Sequence, residues 1–331
     1  MLILSKNDME QCFSMAEAIK VAKEASKIYT EGHSIVPLRT NLEVTDYNGQ
    51  SLYMPAVTSG MEKSLGVKIV SVYPDNINKG LPSVPATMVT LDPQTGIVSA
   101  VLDGTYLTQL RTAAIQGAAT EELANKEAKI AGLIGTGGQA YQQALAMMTA
   151  RKLDELKVFD IDYNRAVVFA EKLTNDIRDT FHTSVYAVDS AKEVVANSDI
   201  VTTVTTSKNN TFDANDIGPG THINGIGAYT PEMFELPKEL LIRANTVLFD
   251  TTDAVLAEAG DIQAPINEGL LTPTDYSGEL GELLLGRILG RQSKSDITVF
   301  KSVGSAVFDV VTAQRIVERA LEKGVGTSID F

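Results

Sequence analysis

One cysteine, Cys12, stands among the 331 residues. No intrachain disulfide can form, and no thiolate cluster can hold a metal. Histidine is nearly as scarce: His33, His182 and His222 are scattered, with none of the spacing that metal ligation uses, and each reads as structural. No apolar run approaches the roughly 18 residues that span a bilayer. The opening MLILSKNDME has too short an apolar stretch and the wrong charge order for a secretory signal, so the expected compartment is the cytoplasm. Positive charge is the other shortage. Lys and Arg number 28 against 42 Asp and Glu, a formal net charge of −14, whereas a nucleic-acid surface needs clustered cations. With 44% hydrophobic and 21% charged residues the composition is that of a globular protein, and the length suits two domains. In so acidic a chain, cations in apolar settings stand out as candidates for holding an anion.

Ser14-Met-Ala-Glu17 has the form of a capping box and opens a helix through about Tyr29. Apolar or alternating runs follow at 38–44, 51–57, 66–72, 86–91 and 97–102. Asp46-Tyr-Asn-Gly49 and Asp92-Pro-Gln-Thr-Gly96 are hairpin-like turns, so a largely antiparallel sheet is expected. Past Gly104 the pattern changes. An Ala-rich, proline-free helix covers 106–125, and strands at 130–134, 156–160, 184–188 and 199–205 then alternate with helices at 140–150, 165–175 and 191–196. Such alternation with short connections implies a parallel, doubly wound sheet. Strands near 222–226 and 246–249 extend it, 297–303 closes it, and 307–321 forms a last amphipathic helix. The fold class is α/β: a Rossmann-type sheet plus a second, α+β region.

The sharpest motif is Gly135-Thr136-Gly137-Gly138-Gln139-Ala140, a G-x-G-x-x-A run between an apolar strand and an amphipathic helix. Gly135 permits the tight turn, Gly137 lets backbone amides approach a pyrophosphate, and Ala140 allows close helix–strand packing. The helix N-terminus adds unpaired N–H groups and a positive dipole end. The next strand ends at Asp160, 25 residues after Gly135, where an acid grips the adenosine ribose diol. A carboxylate there repels a 2′-phosphate. Asp162 brings no cation, while Arg165 lies one helical step away. NAD(H) is therefore preferred, and Arg165 leaves NADP(H) open.

Three further cations sit in unusual settings. Arg39 enters a strand after Val36-Pro37-Leu38, Lys68 interrupts the apolar Gly66-Val-Lys-Ile-Val-Ser-Val72, and Arg111 lies on the Ala-rich helix. A snorkelling lysine and two surface arginines would account for them. So would a carboxylate clamp, in which arginine offers a bidentate fork and lysine a point charge with an adjustable pKa. Periodicity does not bring the three together.

Several stretches jointly resemble the ornithine cyclodeaminase/mu-crystallin family of nicotinamide-dependent enzymes. In the first third they are Gly66-Val-Lys68-Ile-Val-Ser-Val-Tyr-Pro74-Asp-Asn76, Gly80-Leu-Pro-Ser83, Asp103-Gly104 and Leu110-Arg111-Thr112-Ala-Ala114. Later come the glycine turn, Ile223-Asn224-Gly-Ile-Gly227-Ala228 with Pro231, and Phe300-Lys-Ser302-Val-Gly304-Ser-Ala306. The resemblance covers nearly the whole chain. It implies a discontinuous domain, 1–115 with 305–331, that binds substrate and forms a homodimer through its sheet. A dinucleotide domain would occupy 116–304. Arg39, Lys68 and Arg111 then fall where the family binds the α-carboxylate of an amino or imino acid, with Lys68 and Arg111 catalytic and Lys68 exchanging the proton on the substrate nitrogen. Ser83, Thr112, Thr136, Gly138, Gln139, Thr205 and Ser302 fall at cofactor positions, and Glu258 at an acidic position facing the ligand. Ornithine-cyclising members carry an aspartate where this chain has Tyr229, and a tyrosine, neutral at pH 7, does not replace that carboxylate. Ser83 stands for a threonine of the cyclodeaminases and keeps the hydroxyl.

The expected activity is hydride transfer between NAD(H) and the α-carbon of a small amino or imino acid, as in a ketimine or pyrroline-2-carboxylate reductase or an alanine-type dehydrogenase. Ornithine cyclodeamination and non-catalytic, crystallin-like ligand binding are the alternatives.

Overall fold

The computed structural model describes residues 1–60 and 63–330. It begins with β1 (Leu2–Leu4), α1 (Lys6–Cys12) and α2 (Met15–Thr30). Ser14 caps α2 as its sequence promises: its amide donates to the Glu17 carboxylate at 3.0 Å, and the Glu17 amide returns to the Ser14 hydroxyl at 3.3 Å. Ser5 and Asp8 cap α1 in the same way, a signal that the sequence reading passed over because a seven-residue helix shows little periodicity. Strands β2 (Ser34–Ile35), β3 (Thr40–Val44), β4 (Gly49–Thr58), β5 (Leu65–Val72), β6 (Ala86–Leu91) and β7 (Val98–Asp103) follow. Helix α3 (Gly104–Leu123) starts directly after β7.

Strict alternation then sets in: β8 (Ile130–Ile134), α4 (Ala140–Ala150), β9 (Glu155–Phe159), α5 (Tyr163–Ile177), β10 (Ser184–Ala187), α6 (Ala191–Val195) and β11 (Ile200–Thr203). Next are β12 (His222–Gly225), α7 (Lys238–Arg243), β13 (Thr246–Phe249), α8 (Thr252–Glu258) and α9 (Gly260–Asn267). The chain ends through β14 (Gly278–Glu279), α10 (Leu280–Leu284), β15 (Thr298–Lys301), α11 (Ala306–Lys323) and β16 (Thr327–Ser328).

Two compact units result, Met1–Arg111 with Ser305–Phe331, and Thr112–Gly304. The sheet of the first runs β16-β1-β7-β6-β5-β4-β2, with β3 added on β4; the pairings from β2 to β7 are antiparallel and β1 joins β7 in parallel. Period-2 alternation buries one face, including Met54, Lys68, Met88 and Leu102, while α11 lies against β4, β5 and β6 and packs on α2.

All strand pairs of the second unit are parallel, in the order β10-β9-β8-β11-β12-β15-β13-β14. This is the expected doubly wound sheet, with one correction. β15 does not close it; β15 lies inside, between β12 and β13, and the two-residue β14 takes the edge. A run buried at all four positions reports a central strand but not its neighbours, which the crossovers decide. His222, in the central β12, contacts Thr298 Oγ1 through Nδ1 at 2.9 Å and Asn224 Oδ1 through Nε2 at 3.0 Å. Burial brings its pKa down to about 3, so it is a neutral core residue. Among the described residues no helix is long and apolar enough to cross a membrane, and no group of three His, Cys, Asp or Glu side chains could hold a metal ion.

Candidate functional site

Lys68 projects from the buried face of β5, opposite Met54 on one side and Met88 on the other, and is only 1% exposed. An ammonium withdrawn from water at such a place needs a counter-ion. Asp309, in the first turn of α11 and fully buried, provides it: its carboxylate oxygens lie 2.9 and 2.8 Å from Lys68 Nζ. Oδ1 also accepts from Arg111 Nε at 2.7 Å. One carboxylate thus serves two buried cations, and the trio keeps a net positive charge. Burial and the charge of Arg111 bring the pKa of Lys68 down to about 7 against the pull of Asp309, and the charge of Arg39 adds to the lowering. Burial also opposes ionisation of Asp309, but Arg111 and Lys68 hold its carboxyl below the usual range. Arg111 Nη1 is buried and has no hydrogen-bond acceptor among the described residues. A buried guanidinium N–H without a partner is an open position for an anionic oxygen. The half-buried Arg39 brings its charge to the same cluster.

In the second unit the glycine turn sits between β8 and α4. Gly135 has φ +99°, and a Cβ there would press on the Val204 carbonyl at 2.8 Å and the Thr205 methyl at 2.9 Å, so only glycine fits. A Cβ at Gly137 would meet nothing within 4 Å. The amides of Gly137, Gly138 and Gln139 find no acceptor among the described residues; Gly137 and Gly138 are exposed and Gln139 is half-buried. Free amides at a helix N-terminus beside open space fit a diphosphate. Asp160 Oδ2 accepts from the Thr136 amide at 2.9 Å and its hydroxyl at 2.5 Å, and Oδ1 accepts from the Asp162 amide at 3.1 Å. Burial works against its charge, but these donors and Arg165 hold the carboxyl below the usual range. Asp162 caps α5 by accepting from the Asn164 amide at 3.1 Å.

The structure therefore brings together Lys68, Arg111 and the charge of Arg39 in one unit, and Gly135 to Gln139, Asp160, Arg165 and Thr205 in the other. Ser302 is buried and donates its hydroxyl to Asp250 at 2.6 Å, and Thr112 is buried at the start of the second unit. Ser83 is half-buried in a loop and accepts the Tyr73 amide on its carbonyl at 2.8 Å. Tyr229 follows β12 and packs on the apolar core; Glu258 ends α8, after β13. Asp309 was missed by the sequence reading, as were the fully buried Glu235 and Lys301 and the buried Asp261. The signal was present: Val307-Phe-Asp309-Val-Val311 and Thr298-Val-Phe-Lys301 each set one charge in an apolar string.

The family model of the ornithine cyclodeaminase/mu-crystallin family matches residues 1–324. The chain belongs to that family. It is 37% identical to a Delta(1)-pyrroline-2-carboxylate reductase of Bacillus cereus over 331 residues, the full length of both. Among solved structures, Thermococcus litoralis Delta(1)-pyrroline-2-carboxylate reductase in complex with NADH and L-proline superposes with a TM-score of 0.94 at 40% identity, covering 99% of this chain and 100% of that one. An archaeal alanine dehydrogenase dimer with bound NAD gives 0.89 at 35% identity, covering 100% and 99%.

Asp309→Asn leaves two buried cations against a neutral amide and is expected to lower the unfolding free energy by about 3–5 kcal/mol. Urea denaturation reads this directly. An unchanged midpoint would mean that the carboxylate is not what compensates Lys68 and Arg111.

Proposed function

We propose that this protein is an NAD(H)-dependent imino-acid reductase acting on a small cyclic imine carboxylate of the pyrroline-2-carboxylate type. The observation that carries the reading is the buried Lys68–Asp309–Arg111 cluster, with a lysine poised near neutrality and an arginine N–H left open. A substrate carboxylate takes the open Nη1 of Arg111, with Arg39 adding charge. A nicotinamide dinucleotide held by the glycine turn and Asp160 would supply the hydride for Cα. Lys68 Nζ gives its proton to the imine nitrogen as that bond becomes single, and solvent restores it. Asp309 keeps enough positive character on Lys68 for donation at neutral pH. Asp160 favours NAD(H), because its ionised carboxylate accepts from a ribose hydroxyl and repels a phosphate. The relatives' substrates and cofactors point the same way. Alanine-type oxidative deamination is the second reading, favoured by the full-length similarity to an alanine dehydrogenase. With Tyr229 in place of a carboxylate, ornithine cyclisation has less support.

We also propose that the first unit binds substrate and forms a homodimer, while the second holds the dinucleotide. The sheet face turned away from α11 carries Tyr53, Val57, Val67, Ile69, Val89 and Val101, all half-buried and adjacent across β4 to β7. A contiguous apolar face of this kind suits a second copy.

The full chain should oxidise NADH with pyrroline-2-carboxylate, and more slowly with pyruvate plus ammonia; no oxidation with either would refute the function. In the reductive direction kcat/KM should be level below pH 7 and fall as Lys68 loses its proton above about 7. Lys68→Ala should lose the equivalent of roughly 2–5 kcal/mol in kcat/KM; a near-normal value would take Lys68 out of the mechanism. Sedimentation velocity should show twice the chain mass for the wild type and a single chain for Val89→Lys.

A further inference from the structure

The second unit holds a buried charge cluster that the proposed reaction leaves unused. Glu235 follows the loop after β12 and is 0% exposed. Its Oε1 accepts from the Thr205 amide at 2.6 Å and the Thr205 hydroxyl at 2.9 Å. Its Oε2 accepts from the Gly227 amide at 2.6 Å and the Ala228 amide at 2.9 Å. The Thr205 hydroxyl in turn accepts from the Ser207 amide at 3.2 Å, which fixes it as a donor toward Glu235. Behind this carboxylate a second tie closes a ring. Asp261 Oδ1 accepts from the Glu235 amide at 2.7 Å, Asp261 Oδ2 lies 2.8 Å from Lys301 Nζ, and Lys301 donates to the Ala228 carbonyl at 2.7 Å.

Three ionisable side chains taken out of water are costly as mere filler. Their geometry has one result: the loop after β11 and the turn after β12 are locked to each other. Gly227 permits the approach, since a Cβ there would collide with the Thr205 backbone and with the Glu235 carboxylate. Thr205 also lies beside the dinucleotide turn, its methyl group 2.9 Å from where a Cβ on Gly135 would stand. The strand ends line up, Ile134 beside Thr203 and Thr203 beside Gly225, so both tied loops leave the sheet at its carboxyl edge. In a doubly wound sheet a dinucleotide lies across that edge where the strand order reverses, here between β8 and β11. Asp160 and the glycine turn hold the adenosine half. The loops after β11 and β12 belong to the other half.

We infer that Glu235 is a positioning residue for the nicotinamide half of the dinucleotide, acting through Thr205 and the Gly227–Ala228 turn. The inference rests on the dinucleotide reading given above. Burial, with the charge of Asp261, holds the Glu235 carboxyl above its usual range against the opposing pull of Lys301 and the Thr205 and Ala228 amides. Four donors on two oxygens require the ionised form. Glu235→Gln keeps the shape but turns one oxygen into an NH2, which then faces N–H groups on one of the two loops.

The test compares two ligands on the full chain. NADH affinity is read by fluorescence titration, ADP-ribose affinity by calorimetry, and folding by thermal melting. Glu235→Gln should raise the Kd of NADH by about tenfold or more, equivalent to ~1.4 kcal/mol, and leave that of ADP-ribose within about twofold, whatever the melting temperature does. Glu235→Asp, which keeps the charge but retracts it by one methylene, should give the same split to a smaller degree, and it carries the test if the Gln variant does not fold. Equal weakening of both ligands, or none of either, would overturn the inference by leaving Glu235 a general support of the fold. Failure of the wild-type chain to bind NADH would overturn the dinucleotide reading itself, and this inference with it.

Discussion

Asp309 is wholly withdrawn from solvent and lies within 3 Å of two cations that are themselves buried. Without it Lys68 could not keep its charge where it is, since a lone ammonium inside protein gives up its proton, and the Arg111 guanidinium would be left buried without a counter-ion. With it, two positive groups share one negative group, and Arg111 Nη1 is left without a partner among the described residues. Helix α11 brings this carboxylate from the far end of the sequence, and α11 is held in turn by its apolar contacts with α2 and the inner faces of β4 to β6. The packing of the first unit and the electrostatics of its cation cluster are therefore one problem with one solution. A shift of α11 by a turn would bring Ser305 and Ala306, or Thr312 and Ala313, to the place of Asp309 and leave Lys68 without its counter-charge.

The second unit shows the same economy in another form. Its carboxylates are placed against backbone amides. Asp160 ties the glycine turn through Thr136, and Glu235 ties two loops through Thr205, Gly227 and Ala228. Charge-assisted bonds to amides are shorter and stronger than neutral ones, and they fix backbone without bulky side chains. Gly135 and Gly227 are the other half of this device, because both lie where a Cβ would strike neighbouring chain.

Much of the architecture was legible because it follows from local rules. The capping box at Ser14, the turns at Asp46 and Asp92, the strand–helix alternation after Gly104 and the glycine turn all depend on residues within a few positions of one another. The odd setting of Lys68 was visible too, as a charge on the apolar face of an alternating strand. Its partner was not. Asp309 lies 241 residues away along the chain, and periodicity carries no information at that distance. The position of β15 was misjudged for a related reason: an apolar run reveals that a strand is central, whereas the crossovers alone select its neighbours.

The sequence by itself determined the α/β class, the parallel sheet, the turn able to receive a diphosphate and the family. These are set by short-range patterning and by motifs whose residues are contiguous. Only the tertiary structure decided that Lys68 is buried rather than snorkelling, that Arg111 and Asp309 meet it, and that Glu235, Asp261 and Lys301 form one ring. Each of those facts is a balance between desolvation and a counter-charge, and the counter-charge arrives from a distant segment only when the chain has folded.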